Sequence, residues 1–340
     1  MAVSLAGGPN RWSVGDPKTR VGGADRSVGR EAKAGPAERP FDEGKVRQAL
    51  VQLDALVGLR EVKAVISELV AFAQVQRYRL AIGLKNERVV MHAVFAGSPG
   101  TGKTTTARIL GGLFAGLGLL ARGHLVEVER ADLVGEYVGH SAAKARDVVN
   151  RAIGGVLFID EAYSLARGGE RDFGKEVTDV LVKAMEDHKN DFVLILAGYG
   201  GEMERYLHTN PGLRSRFPLH LDFPNLSVGE LLEVAERMVE GREYTLSPAA
   251  RTRIREMLRA PGASAALACG NARLVRNLLE RAMRRQAVRI LRSCAPQDED
   301  GDPVFARGKG LGTGDAAERR LLSELLPEDF DRPLQALVGI

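Results

Sequence analysis

Cysteine and long apolar runs are both scarce in this sequence. Two cysteines, Cys269 and Cys294, occur in 340 residues, too few for a disulfide framework, and no cysteine and histidine spacing matches a zinc site. No run reaches the roughly 18 consecutive apolar residues of a membrane-spanning helix. The N-terminus also lacks the apolar segment of a signal peptide. We therefore expect a cytoplasmic protein.

A strong excess of one charge is also lacking. The chain has 48 Lys and Arg residues against 44 Asp and Glu residues, a net charge of +4. Residues 1–40 contain seven of the basic and four of the acidic residues, so the other 300 residues are close to neutral. Binding to a phosphate backbone needs a basic surface. We therefore do not expect nucleic acid as a partner.

Length and composition favour two packed domains with loose ends. At roughly 150 residues per domain the chain is long enough for two, and 44% hydrophobic with 27% charged residues is typical of a globular protein. We expect a flexible basic arm over 1–45, because its first 40 residues hold seven Gly and four Pro. An α/β nucleotide-binding domain is expected over 46–224, a helical domain over 225–294, and a linker with a C-terminal segment over 295–340.

The central part of the chain alternates short apolar runs with amphipathic stretches. This pattern predicts a parallel sheet with helices on both faces, and therefore an α/β fold. The five predicted strands are Val89–Ala96, His124–Val128, Gly155–Asp160, Phe192–Ala197 and Leu219–Phe223.

Helices follow one another after Pro224, where no further strand pattern is found. Ser227 and Glu230 have the spacing of a capping box, which predicts a helix start. Ser247 followed by Pro248 predicts a second helix start, and a third helix is expected from about Asn271 to Leu291.

A phosphate-binding motif directly follows the first predicted strand. Its residues match G-x-x-x-x-G-K-[ST] between a strand and a helix, where backbone N–H groups and the helix N-terminus face phosphates. Lys103 is expected to reach the β- and γ-phosphates, and the Thr104 hydroxyl to bind Mg²⁺. The loop comprises Gly97, Ser98, Pro99, Gly100, Thr101, Gly102, Lys103, Thr104 and Thr105.

Two adjacent carboxylates end the third predicted strand. Asp160 and Glu161 follow the apolar run Val156–Ile159, and acids beside a buried strand are costly unless a cation is near. Asp160 is suited to Mg²⁺, and Glu161 to the base that polarises an attacking water. Together with the phosphate-binding loop, the pair predicts hydrolysis of ATP or GTP.

The order of these motifs resembles the AAA+ ATPases, and longer stretches resemble the CbxX/CfxQ branch of that family. The resemblance covers about residues 50–292 and implies an AAA+ P-loop NTPase with a five-stranded parallel sheet between helices, followed by a small helical lid. It also implies ATP and Mg²⁺ as cofactors and a homo-oligomeric ring, expected to be a hexamer. The stretches are Leu56–Leu59, Asp132–Ser141, Phe158–Leu165, Leu196–Tyr199 and Asn210–Phe217.

The resemblance also implies roles for residues outside the two motifs. Gly58 and Leu59 would contact the nucleotide, and Arg273, in Gly270-Asn-Ala-Arg, would be the second sensor. An arginine of one subunit would act on the neighbour's γ-phosphate. Arg214 and Arg216 fit that role, with Arg216 preferred, and a surface salt bridge is the alternative for either one.

Two further expectations concern tyrosines. Tyr137, Val138 and Gly139 occupy the position of the pore loop that grips a substrate peptide in ring ATPases, with a buried loop anchor as the alternative. Many AAA+ proteins have a polar Asn or Thr as first sensor after the fourth strand. This sequence has Ala197-Gly198-Tyr199 there, so Tyr199 is the candidate.

We therefore expect an ATP-driven ring that remodels a protein partner. Residues 164–174 and Asp222-Phe-Pro are more similar to the sporulation members of the branch than to its activases. A red-type Rubisco activase that responds to a sugar bisphosphate is the alternative. The second alternative is a DNA-acting ring motor or clamp-loader relative. The near-neutral charge of residues 41–340 argues against it.

Overall fold

The computed structural model describes residues 39–85, 90–135, 137, 139–167, 173–261, 263–294 and 316–330. Most of the predicted arm, the first residue of the first predicted strand and Val138 lie outside these residues, as do residues 295–315 and 331–340 of the predicted linker and C-terminal segment.

Twelve helices and seven strands are found in the described part of the chain. None of the described helices is long and apolar enough to cross a membrane. The helices are α1 (Glu43–Asp54), α2 (Arg60–Ala81), α3 (Lys103–Gly116), α4 (Arg130–Leu133), α5 (His140–Ala152), α6 (Gly174–Asp187), α7 (Gly200–Thr209), α8 (Pro211–Arg214), α9 (Val228–Glu240), α10 (Pro248–Arg259), α11 (Ala263–Cys294) and α12 (Ala316–Ser323). The strands are β1 (Ala93–Gly97), β2 (Leu125–Val128), β3 (Val156–Ile159), β4 (Val193–Gly198), β5 (Leu219–Phe223), β6 (Thr245–Leu246) and β7 (Glu324–Leu325), and two 3₁₀ helices span Ala162–Ala166 and Pro327–Phe330.

The first five strands form one parallel sheet in the order β2-β3-β4-β1-β5. In its centre Val94 lies opposite Leu196 on β4 and His220 on β5. Every residue of β3 and β4 is buried, as expected for strands that are covered on both faces. The predicted α/β fold with a five-stranded parallel sheet is confirmed.

Neighbouring residues of a strand contribute to different hydrophobic cores. Phe95 and Phe158 pack on one face of the sheet with α1, α2 and α3, and their rings meet edge to face with centroids 6.4 Å apart. Val94 and Leu157, one residue earlier in each strand, pack on the other face with α5, α6 and α7. Helices therefore cover both faces of the sheet, as predicted.

The observed starts of two elements differ from the predicted ones by more than one residue. Helix α1 begins at Glu43, two residues before the predicted end of the arm, because the Asp42 side chain accepts a hydrogen bond from the Lys45 amide at 3.0 Å. Strand β1 begins at Ala93 and not at residue 89. Beside its start, the Leu194 amide donates to Nδ1 of His92 at 2.9 Å instead of to a backbone carbonyl of β1.

Helices α9, α10 and α11 pack around a third core. Both predicted helix starts are confirmed. Ser227 and Glu230 form the capping box of α9, in which each side chain accepts a hydrogen bond from the other residue's amide. Ser247 accepts from the Ala250 amide at 3.1 Å and caps α10, with Pro248 in its first turn.

One expectation about this region is wrong. A strand does follow Pro224, since β6 pairs in parallel with β7, but strands of two residues are too short to show an alternating pattern. The predicted helix start near Asn271 is confirmed, because α11 consists of two helices joined by a kink at Asn271, where φ is 40° and ψ is −123°. The helix from Ala263 to this kink is not among the predicted ones. Leu325 and Phe330, in the predicted C-terminal segment, are buried in the third core.

His92 is a buried ionisable residue at the start of the sheet. It is 2% exposed, and its ring lies 5.7 Å from that of Phe192 and 6.2 Å from that of Phe217. Nδ1 accepts the hydrogen bond from Leu194, whereas Nε2 has no partner within the described structure. Burial therefore lowers the pKa of His92 to about 4.

This lowered pKa predicts a pH-dependent stability. Because the unfolded chain protonates His92 near pH 6.5 and the folded chain only near 4, the free energy of unfolding falls as pH drops through this window, by up to about 3 kcal/mol. In His92→Asn, whose side-chain oxygen can still accept from Leu194, this part of the pH dependence is lost. Urea unfolding from pH 4 to 7 measures it. His208→Asn, on an exposed histidine, should keep the wild-type slope; the same slope in His92→Asn would contradict the assignment.

Candidate functional site

The phosphate-binding loop connects β1 to α3 and needs glycine at several positions. Gly100 and Gly102 have φ of +73° and +101°, a left-handed conformation that side chains rarely adopt. A Cβ atom on Gly100 would also lie 2.2 Å from the carbonyl oxygen of Gly270 in α11. The loop therefore touches the helical domain directly.

Lys103, the first residue of α3, is 9% exposed. Its ammonium group donates hydrogen bonds to the carbonyls of Gly97 and Ser98, each at 2.8 Å. Burial lowers the pKa of Lys103, while the nearby charge of Asp160 opposes this shift and that of Arg273 adds to it. Charged groups from the loop, from the end of β3 and from α11 therefore interact at one place.

The two carboxylates follow β3 at the carboxyl edge of the sheet. The Asp160 amide donates to the carbonyl of Val128 at 3.0 Å, so Asp160 still extends the pairing with β2. At Glu161 the backbone turns sharply into a left-handed conformation, with φ 46° and ψ 42°. The Glu161 amide donates to the Asp160 carboxylate at 3.0 Å.

A cavity of about 510 Å³ lies where these elements meet, within the usual size range of small-molecule sites. The sheet edge, the phosphate-binding loop and the helical domain all contribute to its walls. The predicted site residues that line it are Leu59, Gly97, Pro99, Gly100, Thr101, Gly102, Lys103, Thr104, Thr105, Asp160, Glu161, Tyr199 and Arg273.

Two predicted nucleotide contacts, Gly58 and Ser98, do not line this cavity. Gly58 has φ +67°, and a Cβ atom there would lie 2.6 Å from the Glu230 carboxylate. It therefore packs against the first turn of α9. The Ser98 carbonyl accepts hydrogen bonds from Lys103 and from the Thr101 hydroxyl, the latter at 2.8 Å.

Sequence reasoning missed three charged residues that line the cavity: Glu127, Arg237 and Arg276. Arg276 lies one helical turn after Arg273, and this i, i+3 spacing was the available signal. Arg237, on α9, donates to the carbonyl of Ala55, 182 residues away. No local pattern indicates a contact of that kind.

Arg214 and Arg216 lie outside the cavity lining, at and just after the end of α8. The Arg216 guanidinium donates to the carbonyl of Gly212 at 2.6 Å and forms an ion pair with Glu186 on α6. Arg214 is exposed, and its side chain has no partner among the described residues. The salt-bridge alternative therefore describes Arg216 in this structure.

The loop between α4 and α5 exposes Tyr137. Its side chain is 65% exposed, and its ring contacts that of His140 edge to face at 5.4 Å. The base of the loop is fixed, because the Gly135 amide donates to the buried hydroxyl of Ser141 at 2.9 Å. Gly139, with φ +81°, precedes α5. Such exposure does not fit a buried loop anchor.

Asn271 connects the cavity to the helical domain. It is fully buried, and its carboxamide donates to the carbonyl of Pro99 at 3.2 Å and to the Asn225 side chain at 3.0 Å. Its oxygen accepts from the Leu226 amide at 2.9 Å. The next amide, of Ala272, donates to the carbonyl of Gly100 at 3.1 Å. Sequence reasoning placed Asn271 at the start of a helix and missed these contacts.

Fold and cavity together define an AAA ATPase domain with its lid. The family model of the "ATPase family associated with various cellular activities (AAA)" matches residues 93–225, and that of the AAA lid domain matches residues 227–337. The FIGL-1 AAA domain in complex with ADP has a similar fold, with a TM-score of 0.52 and 17% identity, over 84% of this chain and 88% of that one.

Relatives with higher sequence identity indicate the family within this class. Stage V sporulation protein K of Bacillus subtilis (strain 168) is 48% identical over 77% of this chain and 81% of its own length. Protein CfxQ of Xanthobacter flavus is 44% identical over 79% and 84%. The chloroplastic ribulose bisphosphate carboxylase/oxygenase activase of Cyanidioschyzon merolae (strain NIES-3377 / 10D) is 42% identical over 74% and 85%. The chain belongs to the CbxX/CfxQ family of AAA+ ATPases.

The contacts of Asn271 predict a large loss of stability on substitution. Asn271→Ala leaves the Leu226 amide and the Pro99 carbonyl without their buried partner, which should lower the free energy of unfolding by about 3 kcal/mol. Urea denaturation measures the change. Asn277→Ala, on an exposed residue of the same helix, is the matched control and should change it by less than about 0.5 kcal/mol. Equal stability of the two variants would contradict this role.

Proposed function

We propose that this protein hydrolyses ATP in the cavity between its α/β domain and its lid. The observation that carries the proposal is the convergence in one cavity of the phosphate-binding loop, the Asp160 and Glu161 pair and an arginine of the lid. Backbone amides at the start of α3 would bind the phosphates. Lys103 would exchange its two carbonyl partners for phosphate oxygens.

Mg²⁺ fits the donor set of this cavity. Thr104 and Asp160 both line it and offer hard oxygen ligands, and Mg²⁺ is commonly held by one or two protein groups together with substrate phosphates. The ion would neutralise charge on the phosphates. Glu161 would accept a proton from the attacking water and hold it in line with the γ-phosphate.

The position of the two arginines supports a ring. Arg214 and Arg216 do not line the cavity of their own chain, so each would act on the nucleotide of a neighbouring subunit, where an arginine stabilises the charge of the transition state. We propose a homo-oligomeric ring, a hexamer, with one of these arginines as the finger. Arg273 would be the second sensor and Tyr199 the first.

The substrate of the ring is proposed to be a protein. Tyr137 offers exposed aromatic area on a loop with a fixed base. Such a side chain is suited to binding substrate peptides without requiring a particular sequence. The relative at 48% identity is a sporulation protein, and this supports a role in sporulation. A relative at 42% is a Rubisco activase, so activation of Rubisco is the alternative.

Nucleotide binding and hydrolysis can be tested separately. Glu161→Gln should bind ATP normally and lower kcat about 100-fold or more, because it removes the proposed base. Lys103→Ala should weaken ATP binding at least about tenfold, because it removes a charge-assisted hydrogen bond. Fluorescent-nucleotide titration and phosphate release measure the two effects. Glu204→Gln, an exposed carboxylate on α7, is the control. Hydrolysis retained by Glu161→Gln would place the base elsewhere.

The protein substrate can be captured with the same variant. Tagged Glu161→Gln loaded with ATP in a lysate of its host should retain a protein that mass spectrometry identifies, and adding Tyr137→Ala should abolish retention. Tyr78→Ala, on an exposed tyrosine of α2, should leave retention unchanged. A sporulation protein would support the proposed context, whereas Rubisco large subunit would favour the alternative. Retention that does not depend on Tyr137 would contradict its proposed role in binding the substrate.

A further inference from the structure

Helix α1 has no basic residue in its last turn, although the free carbonyls at a helix C-terminus attract cations. Three successive carbonyls at this end accept hydrogen bonds from cations of other elements. The Lys63 ammonium, on α2, donates to the carbonyls of Asp54 at 3.1 Å and Leu56 at 2.5 Å. Arg237, on α9 of the lid, donates to the carbonyl between them, that of Ala55. The lid therefore completes the C-terminus of a helix that belongs to the α/β domain.

Helix α9 lies along residues 55–59 between α1 and α2, a segment that we call the connector. A Cβ atom on Gly58 would lie 2.6 Å from the Glu230 carboxylate, and Arg237, about 10 Å further along α9, contacts Ala55. The Arg237 guanidinium also donates to the Glu233 carboxylate, one turn earlier on α9, at 2.7 Å. Arg237 therefore has two partners that restrict its half-exposed side chain.

Apolar side chains of the connector and of α9 line one part of the cavity. Leu56 and Val57 line it from the connector, and Val234 and Met238 line it from α9. Val234 lies between the two α9 residues that contact the connector, at the i, i+4, i+7 spacing of one helix face. The phosphate-binding loop lines another part of the same cavity. Since a nucleotide combines phosphates with a flat and largely apolar nucleobase, the nucleobase fits the apolar part.

We propose that Arg237 is a positioning residue for nucleotide binding, whose bond to the Ala55 carbonyl holds α9 against the connector with the nucleobase between them. This role rests on the proposed function of the cavity as an ATP site. The lid is held separately at the phosphate-binding loop, by the Asn271 carboxamide and the Ala272 amide. Loss of Arg237 therefore weakens the contact beside the nucleobase and leaves the contact beside the phosphates in place.

Arg237→Ala tests this role with one ligand that carries a nucleobase and one that lacks it. We expect the Kd of ADP to rise about fivefold, because one hydrogen bond fewer lowers the fraction of chains that have α9 on the connector. The Kd of inorganic tripolyphosphate should stay within about twofold of the wild-type value. Calorimetric titration of the full chain measures both. Arg237→Lys, whose ammonium can still donate to the Ala55 carbonyl, should bring the Kd of ADP back to within about twofold of wild type.

Arg242→Ala is the matched control, because Arg242 follows the end of α9 but bonds Glu280 and Met283 within the lid. It should leave both Kd values unchanged. Equal losses of affinity for ADP and tripolyphosphate in Arg237→Ala would show a general defect of the cavity and would overturn the role beside the nucleobase. Wild-type affinity for ADP in that variant would overturn it as well. A wild-type protein that does not bind ADP would instead overturn the proposed function.

Discussion

The buried carboxamide of Asn271 joins the parts of the chain that enclose the cavity. One side chain bonds the phosphate-binding loop through Pro99 and the start of the lid through Asn225 and Leu226. The side chain is fully buried and all of its hydrogen-bonding groups have partners, so their geometry is strongly specified. The unusual backbone of Asn271, with φ 40°, is stored strain that these bonds offset. The amide of Ala272, which donates to the carbonyl of Gly100 at 3.1 Å, forms a further bond between the lid and the loop.

Helix α11 extends this connection to the end of the described chain. Gln286, about 22 Å further along the helix at 1.5 Å per residue, donates to the carbonyls of Leu321, Leu322 and Glu324 at 3.1 to 3.2 Å. Arg289 forms an ion pair with the buried carboxylate of Asp329 at 2.9 Å. The segment after the predicted linker is thus bound to the same helix as the phosphate-binding loop, and it completes the core of the lid.

How much of the structure can be predicted from the sequence depends on how local each sequence signal is. The phosphate-binding loop, the carboxylate pair and the buried strands are contiguous patterns whose physical demands are met within a few residues, and the parallel sheet follows from their alternation with helices. Strands β6 and β7 pair across 79 residues with two residues each, so neither shows a pattern. The break at Asn271 coincides with the predicted helix start, but its side-chain partners lie in two other segments, the phosphate-binding loop and residues 225–226, and no local pattern indicates them. The contact of Arg237 with Ala55 is equally non-local.

Burial of Lys103 has a consequence for nucleotide binding. Taking an ammonium group out of water costs free energy. Here this cost arises when the chain folds and not when a nucleotide binds, because the ammonium already donates to the carbonyls of Gly97 and Ser98. Phosphate oxygens would therefore replace neutral acceptors and not bulk water. The opposing charges of Asp160 and Glu161 make the buried ammonium tolerable. The carboxylate pair thus stabilises the buried ammonium group of Lys103, and Glu161 of that pair also supplies the proposed base.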